Sequence, residues 1–147
     1  MLSVVVPMYN EEENAPKLIQ AVRESLHGYR YELILVDDNS TDHTRKAIKD
    51  AQDPNTVLIE LKRNYGQSSA LMAGIDYATG DFIITLDGDL QNDPKDIPAM
   101  LDTLLANDDD LVIGWRKNRK DNIIRTFPSK IANFIIRKTT KLNIKDH

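Results

Sequence analysis

The stretch LSVVVPMYNEEENAPKLIQAVRESLHG, Leu2 to Gly28, decides the fold. Leu2 to Val6 is a short apolar run closed by Pro7, which reads as a buried strand. Met8 to Asn14 is polar and reads as a loop. From Ala15 the apolar residues Leu18, Ile19, Val22 and Leu26 recur at helical spacing, with Pro16 tolerated in the first turn and Gly28 placed to end the helix. The stretch is therefore strand, loop, helix.

Working outward, the same pattern repeats. Glu32 to Val36 is a second strand, closed by the cluster Asp37-Asp38-Asn39-Ser40-Thr41-Asp42, which can cap a helix containing Ala47 and Ile48. Val57 to Leu61 is a third strand and Ser68 to Ala78 a third helix, with Leu71, Met72 and Ile75 on one face. Phe82 to Leu86 is a fourth strand, Ile97 to Leu105 a fourth helix and Leu111 to Ile113 a fifth strand. Strands alternating with helices predict an α/β fold with a doubly wound, mostly parallel sheet.

The 147 residues fit one domain, and 41% apolar against 29% charged residues argues against disorder. The chain has no cysteine, which excludes a disulfide framework, a thiolate zinc site and a cysteine nucleophile. No apolar run reaches the roughly 18 residues that span a bilayer, and the first residues lack the pattern of a signal peptide. The chain as given reads as soluble. Its net charge of −4 is unevenly distributed: residues 1–114 hold 9 Lys and Arg against 21 Asp and Glu, whereas residues 115–147 hold 10 against 2. Residues 120–140 of this basic tail place Ile124, Phe127, Ile131, Phe134 and Ile135 roughly on one stripe, the pattern of a basic amphipathic helix. Such a helix either packs on the sheet or lies on an anionic membrane surface.

In open parallel sheets, ligands bind beyond the carboxyl ends of the strands, and here those ends are mostly acidic. Tyr9, Asn10 and Glu11 follow the first strand, Asp37 and Asp38 the second, and Asp87-Gly88-Asp89 the fourth. Two carboxylates around one glycine can turn toward a single hard cation, Mg2+ or Mn2+, with Gln91 adding a neutral oxygen. The competing reading makes the same carboxylates caps of the helix near Pro94. Asp37 and Asp38 can accept hydrogen bonds from a base or ribose, or can cap the following helix. Arg63, Asn64 and Gln67 lie after the third strand, and Arg116, Lys117, Arg119 and Lys120 can offset a diphosphate. The chain has no Gly-x-Gly-x-x-Gly after the first strand, no P-loop and no Gly-x-Ser-x-Gly elbow, and His27, His43 and His147 lack metal-ligand spacing.

The segments Val5-Val6-Pro7-Met8-Tyr9-Asn10-Glu11, Val36 to Asp42, Arg63-Asn64-Tyr65-Gly66-Gln67, Ala73-Gly74, Gly80-Asp81 and Asp87-Gly88-Asp89-Leu90-Gln91 resemble, in that order, those of family 2 glycosyltransferases of the GT-A fold. The Arg-Asn-Tyr-Gly-Gln and Asp-Leu-Gln segments, with Pro94 near Ile97-Pro98, are similar to the polyprenyl-phosphate branch, which includes dolichyl-phosphate mannose synthases and bacterial undecaprenyl-phosphate glucosyl and aminoarabinose transferases. Gly88 stands where alanine is common in that branch, and Asn39 where glycine often stands.

The resemblance implies that Pro7, Tyr9, Glu11, Asp37, Asp38, Gln67, Asp87 and Arg116 bind a nucleotide-sugar donor, UDP-linked by the branch it is similar to. It implies that Asp87, Asp89 and Gln91 hold Mg2+ or Mn2+, and that Asp89 and Arg116 act in catalysis. The implied reaction is inverting transfer of the sugar to a polyprenyl phosphate on the cytoplasmic side of a membrane, with no nucleic-acid partner. Residues 1–147 then read as the N-terminal, donor-binding part of a longer GT-A domain that binds nucleotide with or without turnover, its uncovered apolar surface favouring a homo-oligomer. Two rivals fit less well. A nucleotidyltransferase wants a glycine- and arginine-rich loop after the first strand, and a receiver domain wants its acidic pair there.

Overall fold

The computed structural model describes residues 1–51 and 53–114. Four parallel strands, β1 (Leu2–Met8), β2 (Tyr31–Asp37), β3 (Thr56–Glu60) and β4 (Phe82–Thr85), form one sheet in the order β3-β2-β1-β4. The connections are α1 (Ala15–Ser25), α2 (Thr44–Asp50) and α3 (Gln67–Tyr77), and a 3-10 turn at Pro94–Asp96 leads into α4 (Ile97–Asn107). The strand order reverses between β1 and β4. That gap is where an open α/β sheet leaves a crevice at its carboxyl edge.

Side-chain alternation along β1 builds two cores. Val4, Val6 and Met8 face Leu18, Ile19 and Val22 of α1 together with Ile48 and Ile97. Val5 faces the opposite way and packs with Ile34, Val36 and Ala70 under α3. Helices therefore cover both faces, as the alternating pattern predicts. Fully burying a side chain such as Leu18 contributes about 1.5–3 kcal/mol.

Two expectations are corrected. β1 does not stop at Val6 but runs through Pro7, which pairs with Val36. Asp38 N donates to Met8 O, so Met8 bonds toward β2, while Pro7 O faces Gly88 on the β4 side. The β1·β4 ladder has already ended at Val5·Thr85, so the missing proline N–H falls where no strand needs it. Leu111–Ile113, expected as a fifth strand, forms no ladder among the described residues, and Leu111 and Ile113 are exposed. A strand exists only through its pairing partner, and β propensity alone does not supply one. The expected basic helix at 120–140 and Arg116 lie outside the described residues.

At the amino edge of the sheet, Ser3 Oγ donates to Glu32 Oε1 at 2.6 Å, as do Thr79 N at 2.8 Å and Thr79 Oγ1 at 2.9 Å, and Gly80 N donates to Ser3 Oγ. Burial disfavours the Glu32 charge, but these hydrogen bonds together outweigh it and hold the carboxyl below its ordinary value of 4.5. A folded-state pKa below the unfolded one adds stability above pH 4.5, which is lost as pH falls through the folded value. Glu32→Gln is expected to flatten the acid limb of the stability profile below pH 4.5, measured as denaturant midpoints between pH 7 and pH 3. An unchanged acid limb would show that Glu32 is not the linked group.

Candidate functional site

A cavity of about 430 Å³ opens at the carboxyl edge of the sheet, at the β1·β4 gap, within the range of small-molecule sites. β1 brings Pro7, Met8 and Tyr9 to its wall, and the following loop brings Glu11. Asp38 arrives from β2, Asn64, Gly66 and Gln67 from the loop into α3, and Asp87, Gly88 and Asp89 from β4.

The loops around the cavity are stitched to one another. Asn10 takes a left-handed backbone, φ 57°, its N–H donates to Ser40 Oγ, and its Oδ1 accepts from Thr41 N. Glu11 N donates to Thr44 Oγ1, Glu12 N to Asp42 Oδ2 and His43 N to Glu12 Oε2. Asn14 Nδ2 holds the Glu11 carboxylate at 2.6 Å. Ser40, Thr41 and Thr44 are not candidate site residues from sequence, and Asn10 is noted there only as following the first strand, yet together they tie down the loop that carries Tyr9 and Glu11. Asn39 also has a left-handed φ of 60°, a conformation that glycine and asparagine tolerate, and that accounts for asparagine at this position.

The neighbouring acids Asp37 and Asp38 separate. Asp37 is fully buried, accepts from Arg45 Nε at 2.5 Å and from Ser40 N, and lies outside the described cavity lining. Asp38 lines the cavity and accepts from the backbone N–H groups of both Tyr65 and Gly66 at 2.7 Å each. The carboxylate thus shapes the turn that starts α3, where Gly66 takes φ 91°. Asp38→Asn would point an amide N–H at one of these two donors. It is expected to cost about 2 kcal/mol, the scale of a charge-assisted hydrogen bond, and to speed hydrogen exchange at Tyr65 and Gly66; unchanged exchange would refute the assignment.

The acidic turn after β4 is open toward the cavity. Asp87 Oδ1 accepts from Gln67 Nε2 at 2.9 Å and Oδ2 from Asn92 Nδ2 at 3.4 Å, while Asp89 Oδ1 accepts from Gln91 N. The 3-10 turn at Pro94 is capped by Asp93, which accepts from Lys95 N, so Asp87 and Asp89 are not its caps. Gly88 is buried, and a Cβ there would lie 2.7 Å from Met8 Sδ. Gln91 lies outside the described lining, so two of the three expected cation donors reach the cavity. Four carboxylates, Glu11, Asp38, Asp87 and Asp89, line it with no Lys or Arg among the described lining residues.

Residues 3–147 match the model of the family described as Glycosyl transferase family 2. The chain belongs to Glycosyl transferase family 2. Among curated relatives of this family 2 chain, the dodecaprenyl-phosphate galacturonate synthase of Rhizobium johnstonii is 47% identical, covering 99% of the chain and 45% of that protein. The undecaprenyl-phosphate 4-deoxy-4-formamido-L-arabinose transferase of Proteus mirabilis is 44% identical, covering 99% of the chain and 46% of that protein. The chain spans under half the length of these relatives. Among solved structures, a mannosyltransferase of Pyrobaculum calidifontis in complex with GDP-Man and Mn2+ superposes with TM-score 0.59 at 27% identity, over 67% of the chain and 30% of that protein. Staphylococcus aureus TarS in complex with UDP gives 0.57 at 26% identity, over 69% of the chain and 32% of that protein. The family 2 chain has the GT-A fold expected from its motifs.

Proposed function

We propose that the protein transfers a sugar from a nucleotide diphosphate donor to a polyprenyl phosphate, and that residues 1–147 supply the donor side of that reaction. The observation that carries this reading is the acidic cavity at the strand switch, whose four carboxylates would repel a diphosphate unless a cation came with it. Mg2+ is ordinarily held by one or two carboxylates, with substrate phosphates and water completing its shell. Asp87 and Asp89 match that donor set, and among the described residues no group of three acidic, His or Cys side chains forms an all-protein cage. A bound Mg2+ or Mn2+ supplies positive charge to the leaving diphosphate.

The other roles follow from position. Tyr9 is 47% exposed at the end of β1 and offers an aromatic face to a base. Asp38 holds the loop into α3 at the cavity through Tyr65 and Gly66. Arg116, later in the sequence, is the cation this reading assigns to the diphosphate. An acceptor phosphate is already ionised at neutral pH, so direct attack on the anomeric carbon needs no protein base and inverts the configuration. The relatives named for dodecaprenyl and undecaprenyl phosphate support the acceptor class, the UDP bound in TarS supports a UDP-linked donor, and the basic stretch 115–147 supports contact with a membrane surface on the cytoplasmic side.

Calorimetric titration with UDP and with GDP, each in Mn2+ and in chelator, tests the reading. Mn2+-dependent binding of one nucleotide is expected and names the base. Binding of neither, to a chain shown to be folded by its melting transition, would overturn the donor site.

A further inference from the structure

We infer that Gln67 is a positioning residue for the acidic turn, its neutral side-chain amide holding the Asp87 carboxylate in the orientation in which it meets a divalent cation. The inference rests on the proposal that Asp87 and Asp89 hold that cation.

Gln67 is the first residue of α3, directly after Gly66, whose N–H is fixed by the buried Asp38. The start of the helix from which its side chain leaves is therefore anchored by Asp38. From there Nε2 reaches Asp87 Oδ1 at 2.9 Å, bridging the loop into α3 and the turn after β4, 20 residues on. Asn92 approaches the other oxygen, Oδ2, at 3.4 Å from the far side of the same turn. The two amides thus hold one carboxylate by both oxygens.

The chemistry of the clamp matters. A neutral amide fixes the carboxylate plane yet leaves its negative charge in place, whereas Lys or Arg at the same point would compete with the cation for that charge. Hydrogen-bond partners of metal ligands typically set affinity by about 10- to 100-fold. Gln67 is also exposed, so its replacement removes the hydrogen bond with little loss of packing.

The test uses the 147-residue chain and compares its dissociation constants for UDP and for GDP in Mn2+ with those in chelator. The ratio of the two is the cation enhancement. Gln67→Met, which keeps length and removes the donor, is expected to shrink the enhancement about tenfold, and Gln67→Lys to shrink it further. Retention of the full enhancement in Gln67→Met, whatever happens to affinity in chelator, overturns the inference and makes Gln67 a direct nucleotide contact or a bystander. Absence of any enhancement in the unsubstituted chain overturns the cation site itself, and the inference with it. Melting curves of the variants confirm that a change in the ratio does not come from unfolding.

Discussion

Asp89→Ala is expected to abolish cation-dependent nucleotide binding while leaving the melting temperature nearly unchanged. Asp89 lies on the cavity wall, and its side chain is exposed, so removing it creates no void in either core. Among the described residues its structural contribution is one hydrogen bond, in which Oδ1 accepts from Gln91 N. Exposed substitutions of this kind usually stay within about 0.5 kcal/mol of the parent stability. On the proposed reading Asp89 is one of two carboxylate ligands of the cation, and losing it is a much larger effect. Hydrogen-bond partners of metal ligands already set affinity by about 10- to 100-fold, so loss of a ligand itself should lower the affinity in Mn2+ about 100-fold or more. Asp89→Asn separates charge from turn geometry, because its amide oxygen can still accept from Gln91 N. Asparagine should therefore bind nucleotide in Mn2+ almost as poorly as alanine. If it binds like the unsubstituted chain instead, Asp89 serves the turn and not the cation.

The parts of this fold that can be read from sequence are those where periodicity and burial coincide. Leu18, Ile19 and Val22 mark the buried face of α1, and the run Leu33 to Val36 marks a strand covered on both faces. Strand ends follow from such runs, and in a parallel sheet those ends share one edge. Tyr9, Glu11, Asp87 and Asp89 could thus be grouped without coordinates. The same logic cannot separate Asp37 from Asp38. Adjacent residues point to opposite sides, and which of the two enters the cavity depends on where the strand ends relative to Arg45 and the loop into α3. The links from Asn10 to Ser40 and Thr41 join loops about 30 residues apart, and no local pattern encodes them. Pro7 misleads for a related reason. Proline ends a strand only where its N–H is needed, and that depends on how far β4 extends beside it.

Gly74→Ala is expected to cost the most stability of any single methyl group added to α3. A Cβ at residue 74 would sit 2.4 Å from Val5 Cγ1 and 2.9 Å from Val36 Cγ2. Both valines are fully buried and β-branched, which leaves them no easy rotamer to retreat into. The helix must then move off the sheet. Overpacking of this kind costs about 1–3 kcal/mol, against a helix-propensity gain of about 1 kcal/mol for replacing glycine by alanine. With two contacts this short the overpacking belongs at the upper end, for a net loss of about 2 kcal/mol in chemical denaturation. Displacement of α3 also moves Gln67 at its first turn, so cation-dependent nucleotide binding should weaken together with stability. Val5→Ala removes the methyl group nearest the new Cβ. The double variant Val5→Ala, Gly74→Ala should be more stable than the two separate losses predict, since neighbours in contact couple by about 0.5–3 kcal/mol. Simple additivity in that cycle would place the cost of Gly74→Ala somewhere other than the contact with β1, and would detach the tight seating of α3 from the geometry of the site above it.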